Sequence, residues 1–229
     1  MKQIKVLADN KVPIVGEKIF LTNIEADELA KVKMSAKEEG FEKFTCRPVH
    51  NISDEERVNR LKALIDNDNI CIFGIYDKPA RNILGHISIF DYNPRNRSVE
   101  VGYYLMKEFR NNGFMKEAVN LLSKFLFEEV KLNKIMAQTG SFNDESNYLL
   151  KSCGFKLDGC LREHHELDGR LYDDNIYSRT SKRTNRINRS SKNRWCKQMA
   201  NIKKCNNTNG NAINNNLSVL DLIKQFQII

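Results

Sequence analysis

Apolar and polar positions along the chain switch repeatedly between a period of two and a period near 3.6. EKIFLT (17–22) reads as a strand. From about Asn23 to Glu39 the spacing turns helical, with Ala26, Leu29, Val32 and Ala36 on one face and Gly40 as a stop. Ser53-Asp-Glu-Glu56 has the form of a capping box, in which the serine holds a free backbone N–H and the glutamate reaches back. The helix it opens puts Val58, Leu61 and Ile65 on one stripe. Three strand-like segments follow, ICIFGIYD (70–77), ILGHISIF (83–90) and SVEVGYYL (98–105), with short polar connections that predict an antiparallel meander. Pro94 lies in the break before the third. Gly113 to Val130 is the strongest helix, with Met115, Ala118, Val119, Leu122, Phe125, Leu126 and Val130 as its apolar stripe. KIMAQTG (134–140) is a short strand and Glu145–Ser152 a short helix. Residues 155–167 and 170–178 form a hairpin turning at Asp168-Gly169. The expected fold class is α/β, a mixed, mostly antiparallel central sheet flanked by helices.

Charge divides the chain. Its 229 residues carry a formal charge of +8, but residues 179–229 hold eleven Lys/Arg against Asp221 alone, a local +10. The body, 1–178, is left at −2, which excludes a fold that binds nucleic acid through its whole surface. The sequence thus predicts a folded domain over 1–178 and a basic, Asn-rich tail over 179–229 that is too poor in apolar groups to offset its chain entropy. Within the tail, Leu217, Leu220, Ile223 and Phe226 are spaced for a short amphipathic helix. A linker with a docking helix and a non-adaptive extension both fit. A functional tail would contact RNA or the ribosome through phosphate neutralisation, with Trp195 able to stack on a base.

No run approaches the ~20 apolar residues that span a bilayer, and MKQIKVLADNKVP has no signal-like apolar stretch, so a cytoplasmic protein without a membrane partner is expected. The six cysteines form no CxxC pair, which predicts free thiols and no metal site built from them. His164 and His165 are neighbours on a strand and point to opposite faces, so they do not jointly ligate a metal. One of them could line an acceptor pocket.

The chemistry concentrates between Ser98 and Phe155. Arg110-Asn-Asn-Gly113-Phe-Met115 follows a strand and opens the longest amphipathic helix. Free backbone N–H groups at such a turn, on the positive end of the helix dipole, suit a phosphate. Arg110-x-x-Gly113-x-Met115-x-Glu117-Ala118 resembles the pyrophosphate-binding segment of the GNAT superfamily of N-acetyltransferases. Glu100-Val-Gly-Tyr-Tyr-Leu105 resembles that family's central strand. Asn143, Ser146 and Gly154-Phe155 resemble its next signature, and Arg162, Gly169, Asp173 and Tyr177 match the closing hairpin of the RimJ/RimL ribosomal-protein type. The resemblance spans about residues 16–178. It departs from many relatives at Met115, where Gly or Ala is frequent, and at Leu150, where a tyrosine often serves as general acid.

The resemblance implies an acetyl-CoA-dependent N-acetyltransferase acting on a primary amine, foremost a protein (ribosomal) N-terminus, with polyamines, amino sugars or antibiotics as the alternative. A catalytically silent acyl-CoA- or RNA-binding module is the rival of another class. The implied coenzyme contacts are Tyr103, Tyr104, Leu105, Arg110, Asn111, Asn112, Gly113, Phe114, Met115 and Asn143, and no metal is called for. Glu100 is the candidate base, sharing a strand face with Gly102 and Tyr104, although a structural carboxylate fits equally. Ser146 is the candidate donor to the leaving thiolate, or else a helix-start residue bonding backbone.

Overall fold

The computed structural model describes residues 12–46 and 53–181, and the side chains of Glu42, Asp54, Glu55, Arg57 and Val58 fall outside that description. The tail beyond Ser181, with Trp195, Cys196, Cys205 and the apolar stretch 217–226, lies outside the described residues. So does the side chain of Val58 on the second helix's stripe.

Among the described residues, eight strands form one sheet: β1 (Ile14–Val15), β2 (Ile19–Asn23), β3 (Cys71–Asp77), β4 (Ile83–Asn93), β5 (Ser98–Leu105), β6 (Lys134–Gly140), β7 (Lys156–Leu167) and β8 (Arg170–Thr180). Their spatial order is β1-β2-β3-β4-β5-β6-β8-β7. The α-helices that flank it among the described residues are α1 (Ala26–Glu38), α2 (Asp54–Ile65), α3 (Phe114–Glu128) and α4 (Asp144–Ser152). The predicted meander is β3-β4-β5, antiparallel throughout. Asp168 and Gly169 both take positive φ in the hairpin turn, as a two-residue primed turn demands. β8 runs on to Thr180, which pairs with Lys134, so the last strand extends past residue 178.

The helix stripes find their partners. Ala118, Val119, Leu122, Phe125 and Leu126 of α3 are buried against Phe73, Ile87, Ile89, Val99 and Val101. Each buried Val, Leu, Ile or Phe side chain contributes about 1.5–3 kcal/mol of transfer free energy. Leu29 of α1 and Leu61 of α2 pack with Ile72 on the opposite face, and Val32 and Ala36 pack on Tyr104. Ser53 caps α2 by accepting from the Glu56 N–H at 3.2 Å. The reciprocal half of the box differs from expectation: the Glu56 carboxylate accepts from Arg60 one turn on, at 2.8 Å, where an opposite charge is in reach.

β5 and β6 are parallel, but their register holds only three pairs, ending at Glu100 and Met136. Beyond that point β5 stays on β4 as far as Leu105, and β6 stays on β8 as far as Gly140. The sheet therefore splits in the middle.

Candidate active site

A cleft of about 980 Å³ runs through the split. The Met106 N–H donates to the Leu84 carbonyl of β4 at 3.0 Å. Backbone groups alternate sides along a strand, so the N–H groups of Tyr103 and Leu105 point away from β4, into the opening. Val101, Tyr103 and Leu105 line one side of the gap, and Ala137 to Thr139 line the other.

On the α3 face, the loop from Arg110 and the start of α3 form the cleft wall. Asn111 takes φ 64° and Gly113 φ 80°, both left-handed. Gly113 is the N-cap residue of α3, and its conformation turns the first helical N–H groups outward. Asn111, Gly113, Phe114, Met115 and Lys116 all line the cleft. Glu117, one turn into α3, fixes the helix by accepting the N–H groups of Glu17 at 2.6 Å and Lys18 at 3.0 Å.

Two residues of the implied phosphate segment are engaged elsewhere. The Arg110 guanidinium pairs with Glu39 at 2.5 Å and donates through Nε to the Leu105 carbonyl at 3.0 Å. The Asn112 amide folds back onto the Arg110 carbonyl at 3.0 Å. Glu39, at the C-cap of α1, also accepts from the Tyr104 hydroxyl at 2.9 Å and the Lys107 N–H at 3.2 Å. Burial alone would raise its carboxyl, but the bonds from Tyr104 and Arg110 outweigh it and hold the group below the usual range. Arg110 and Tyr104 thereby tie α1 to the side of the cleft formed by the loop before α3.

Asn143 caps α4, accepting the Ser146 N–H at 3.1 Å. The Ser146 hydroxyl lies 2.8 Å from the Tyr103 hydroxyl, and both line the cleft. Leu150, which stands where a tyrosine is frequent in the family the motifs resemble, is fully buried in the core. Tyr103 brings a phenol to the cleft by a different route, from the strand. Burial pushes its hydroxyl well up, so it stays protonated. The sequence hid this pair because the two residues sit on separate elements, and Tyr103 reads as one of several aromatic strand positions.

On the α1 and α2 face the cleft continues between Phe41, Phe44, Leu61, Leu64, Phe90 and Tyr104. Glu100 opens onto this side at the last pair before the split, across from Phe90. Gly102 keeps the floor low: a β-carbon there would stand 3.1 Å from the Phe90 ring and 3.4 Å from Ser88 Oγ. His86 was missed as a candidate, although the alternation of β4 puts it on the same face as Ser88 and Phe90. It lines the cleft, its Nδ1 is buried without a hydrogen-bond partner, and burial, with Lys33 nearby, holds it neutral. His164 and His165 do face opposite ways, the first exposed and the second buried.

The cleft through the split sheet thus has a helix N-terminus on one wall and a carboxylate at the other mouth. The family model for the acetyltransferase (GNAT) domain matches residues 18–156. The chain belongs to the GNAT acetyltransferase family. An uncharacterized N-acetyltransferase of Bacillus subtilis is 31% identical over 106 residues, covering 46% of this chain and 60% of that protein. The ribosomal-protein-serine acetyltransferase of Escherichia coli is 28% identical over 97 residues, covering 42% of this chain and 54% of that protein. The chain thus spans little more than half the length of these GNAT relatives. Among solved structures, the spermidine N-acetyltransferase of Vibrio cholerae in complex with CoA and spermine superposes with a TM-score of 0.65 at 20% identity, over 72% of this chain and 96% of that one. That likeness speaks to the shared GNAT fold. No helix among the described residues is long and apolar enough to cross a membrane.

Proposed function

We propose that this chain transfers the acetyl group of acetyl-CoA to a primary amine, and that the acceptor is a protein N-terminus, a ribosomal protein's first among them. The observation that carries the reading is the split after Glu100 and Met136, which joins a phosphate-suited helix start to a carboxylate-bearing mouth in one cleft. The coenzyme diphosphate lies at the start of α3, against the N–H groups after Gly113. The pantetheine arm runs along the exposed edge of β5, bonding its peptide groups as an added strand would.

The amine enters from the α1 and α2 side and attacks the thioester carbonyl carbon. Glu100 takes the proton that the amine must lose. A β5 N–H aimed into the cleft stabilises the oxyanion as it develops. The C–S bond then breaks, and Ser146, polarised by Tyr103, hydrogen-bonds the departing sulfur. With its hydroxyl shifted upward, Tyr103 keeps its proton, so the pair stabilises the thiolate by hydrogen-bond donation; the thiolate leaves as the anion and is protonated by equilibration with bulk solvent.

The acceptor mouth argues against a polyamine. Among the described residues its walls are chiefly apolar, and Glu100 lines them beside the cations Lys33 and Arg60. A multiply charged cation would need several carboxylates to offset its desolvation. A single amine on an apolar body suits these walls better. Incubation of the enzyme and acetyl-CoA with N-terminal peptides of ribosomal proteins, beside spermidine, an amino sugar and an aminoglycoside, tests this. The expected result is a mass gain of one acetyl group on a peptide α-amine. Exclusive acetylation of spermidine would overturn the acceptor reading and leave the reaction type intact.

A further inference from the structure

Beside the acceptor wall, three side chains that the proposed acetyl transfer does not use converge from separate elements. Cys46 follows the 3-10 turn Phe41–Phe44, His165 lies on β7 and Asp174 on β8. One ligating atom from each, the cysteine sulfur, an imidazole nitrogen and a carboxylate oxygen, all fall within 4.8 Å of one another. His165 and Asp174 are buried, Asp174 completely, and Cys46 is half-buried on the cleft wall.

The hydrogen bonds fix what these groups offer. His165 Nε2 lies 2.8 Å from the Lys43 carbonyl oxygen. A carbonyl only accepts, so Nε2 carries a proton. Nδ1 then faces Asp174 Oδ1 at 3.2 Å, and this oxygen is buried with no hydrogen-bond partner. Its twin Oδ2 accepts from the Gln138 amide at 2.8 Å. A buried carboxylate oxygen left unsatisfied is costly, and a cation at this spot would remove the cost.

The spacing of the His165 Nδ1–Asp174 Oδ1 pair fits a metal chelate. Nitrogen and oxygen ligands at about 2.0–2.1 Å from a tetrahedral zinc ion are about 3.3 Å apart. The ion in such a chelate sits off the N–O line, whereas a hydrogen bond needs its hydrogen near that line. The surroundings match as well, because ligating histidines commonly donate their other N–H to a carbonyl and ligating carboxylates are themselves hydrogen-bonded.

We propose that Cys46, His165 and Asp174 bind one divalent cation of the zinc class. Sulfur, imidazole and carboxylate together select zinc over magnesium or calcium. A thiolate and a carboxylate balance the ion's two charges, and the fourth place falls to water. The bound ion clamps the turn that carries Phe41 and Phe44 onto the β7–β8 hairpin, and no step of the proposed acetyl transfer passes through it.

The test uses the full-length chain, stripped with a chelator and titrated with Co²⁺ and then Zn²⁺. The expected result is one equivalent of Co²⁺ per chain, with a thiolate-to-cobalt absorption band that Zn²⁺ abolishes. Cys46→Ser removes the band, Cys160→Ser keeps it, and Asp174→Asn weakens Zn²⁺ binding at least about 10-fold. Absence of the band in the wild-type chain overturns the proposal without recourse to any variant. A band that survives Cys46→Ser in a folded protein overturns it equally, by assigning the ion to another cysteine.

Discussion

Replacing Glu39 by Gln separates two roles for Arg110. If Arg110 works by holding α1 against the phosphate loop, its function depends on Glu39, which it meets at 2.5 Å with side chains only 28% and 20% exposed. A hydrogen bond to a charged group contributes about 1.5–3 kcal/mol, and partial solvent access trims this to about 1–2 kcal/mol. For a domain of this size that corresponds to a fall in Tm of about 3–6 °C. Glu39→Gln and Arg110→Gln should each show it, and the double variant should lose little more than either alone, since the pair acts as a unit. The carboxyl is held below its usual range in the folded chain, so the stabilisation is present above about pH 4.3 and disappears as pH falls through the folded-state value. The assay is thermal unfolding of the four proteins, combined with calorimetric titration of acetyl-CoA. Both single variants should bind the coenzyme more weakly, because both release the loop. If Arg110→Gln weakens binding while Glu39→Gln preserves or improves it, Arg110 is itself a phosphate ligand and the positioning argument fails.

Glu100→Gln should lower kcat by about 10²–10⁴-fold with acetyl-CoA affinity unchanged, and a wild-type rate from pH 6 to 9 would return Glu100 to a structural role. Tyr103→Phe removes the hydroxyl 2.8 Å from Ser146 and should reduce kcat by about 5–10-fold, the worth of one neutral hydrogen bond, with steady-state kinetics as the check. Tyr103→Phe in a Ser146→Ala background should then add little. Burial keeps His86 neutral in the folded chain, so below about pH 6.5 the unfolded chain takes up a proton that the folded one refuses. Urea unfolding at pH 7 and pH 5.5 should show His86→Gln losing less stability over that interval than wild type, and equal losses would refute the buried neutral state.

Much of this architecture is legible in single elements. The α3 stripe, the β3-β4-β5 meander and the Asp168-Gly169 turn follow from spacing and turn chemistry, which are local. The Gly113 segment is readable because a strand, a glycine at positive φ and a helix start come in immediate succession. What stays hidden is decided by distant partners. β1 has only Ile14 and Val15, too few to show a period, and exists through pairing with Phe20 and Leu21. The split follows from β6 keeping its register with β8 rather than with β5, a competition that no single strand records. That Arg110 meets Glu39 depends on the packing of α1, which the local pattern around Arg110 does not record. Likewise His86 reads as one more inward position on β4, because alternation names a face and not what stands above it. His165 reads as half of a histidine pair, while its partners come from the turn after α1 and from β8.

The central claim is acetyl transfer through the split between β5 and β6, and the release of coenzyme A thiol tests it most directly. Full-length protein with acetyl-CoA and an acceptor peptide bearing a free N-terminus should release thiol continuously, in step with an acetyl mass gain on the peptide. Both signals should collapse in Glu100→Gln while acetyl-CoA still binds. Saturable acetyl-CoA binding with neither thiol release nor acetylation, across peptides and small amines alike, would contradict the account and leave the cleft as a coenzyme-binding module.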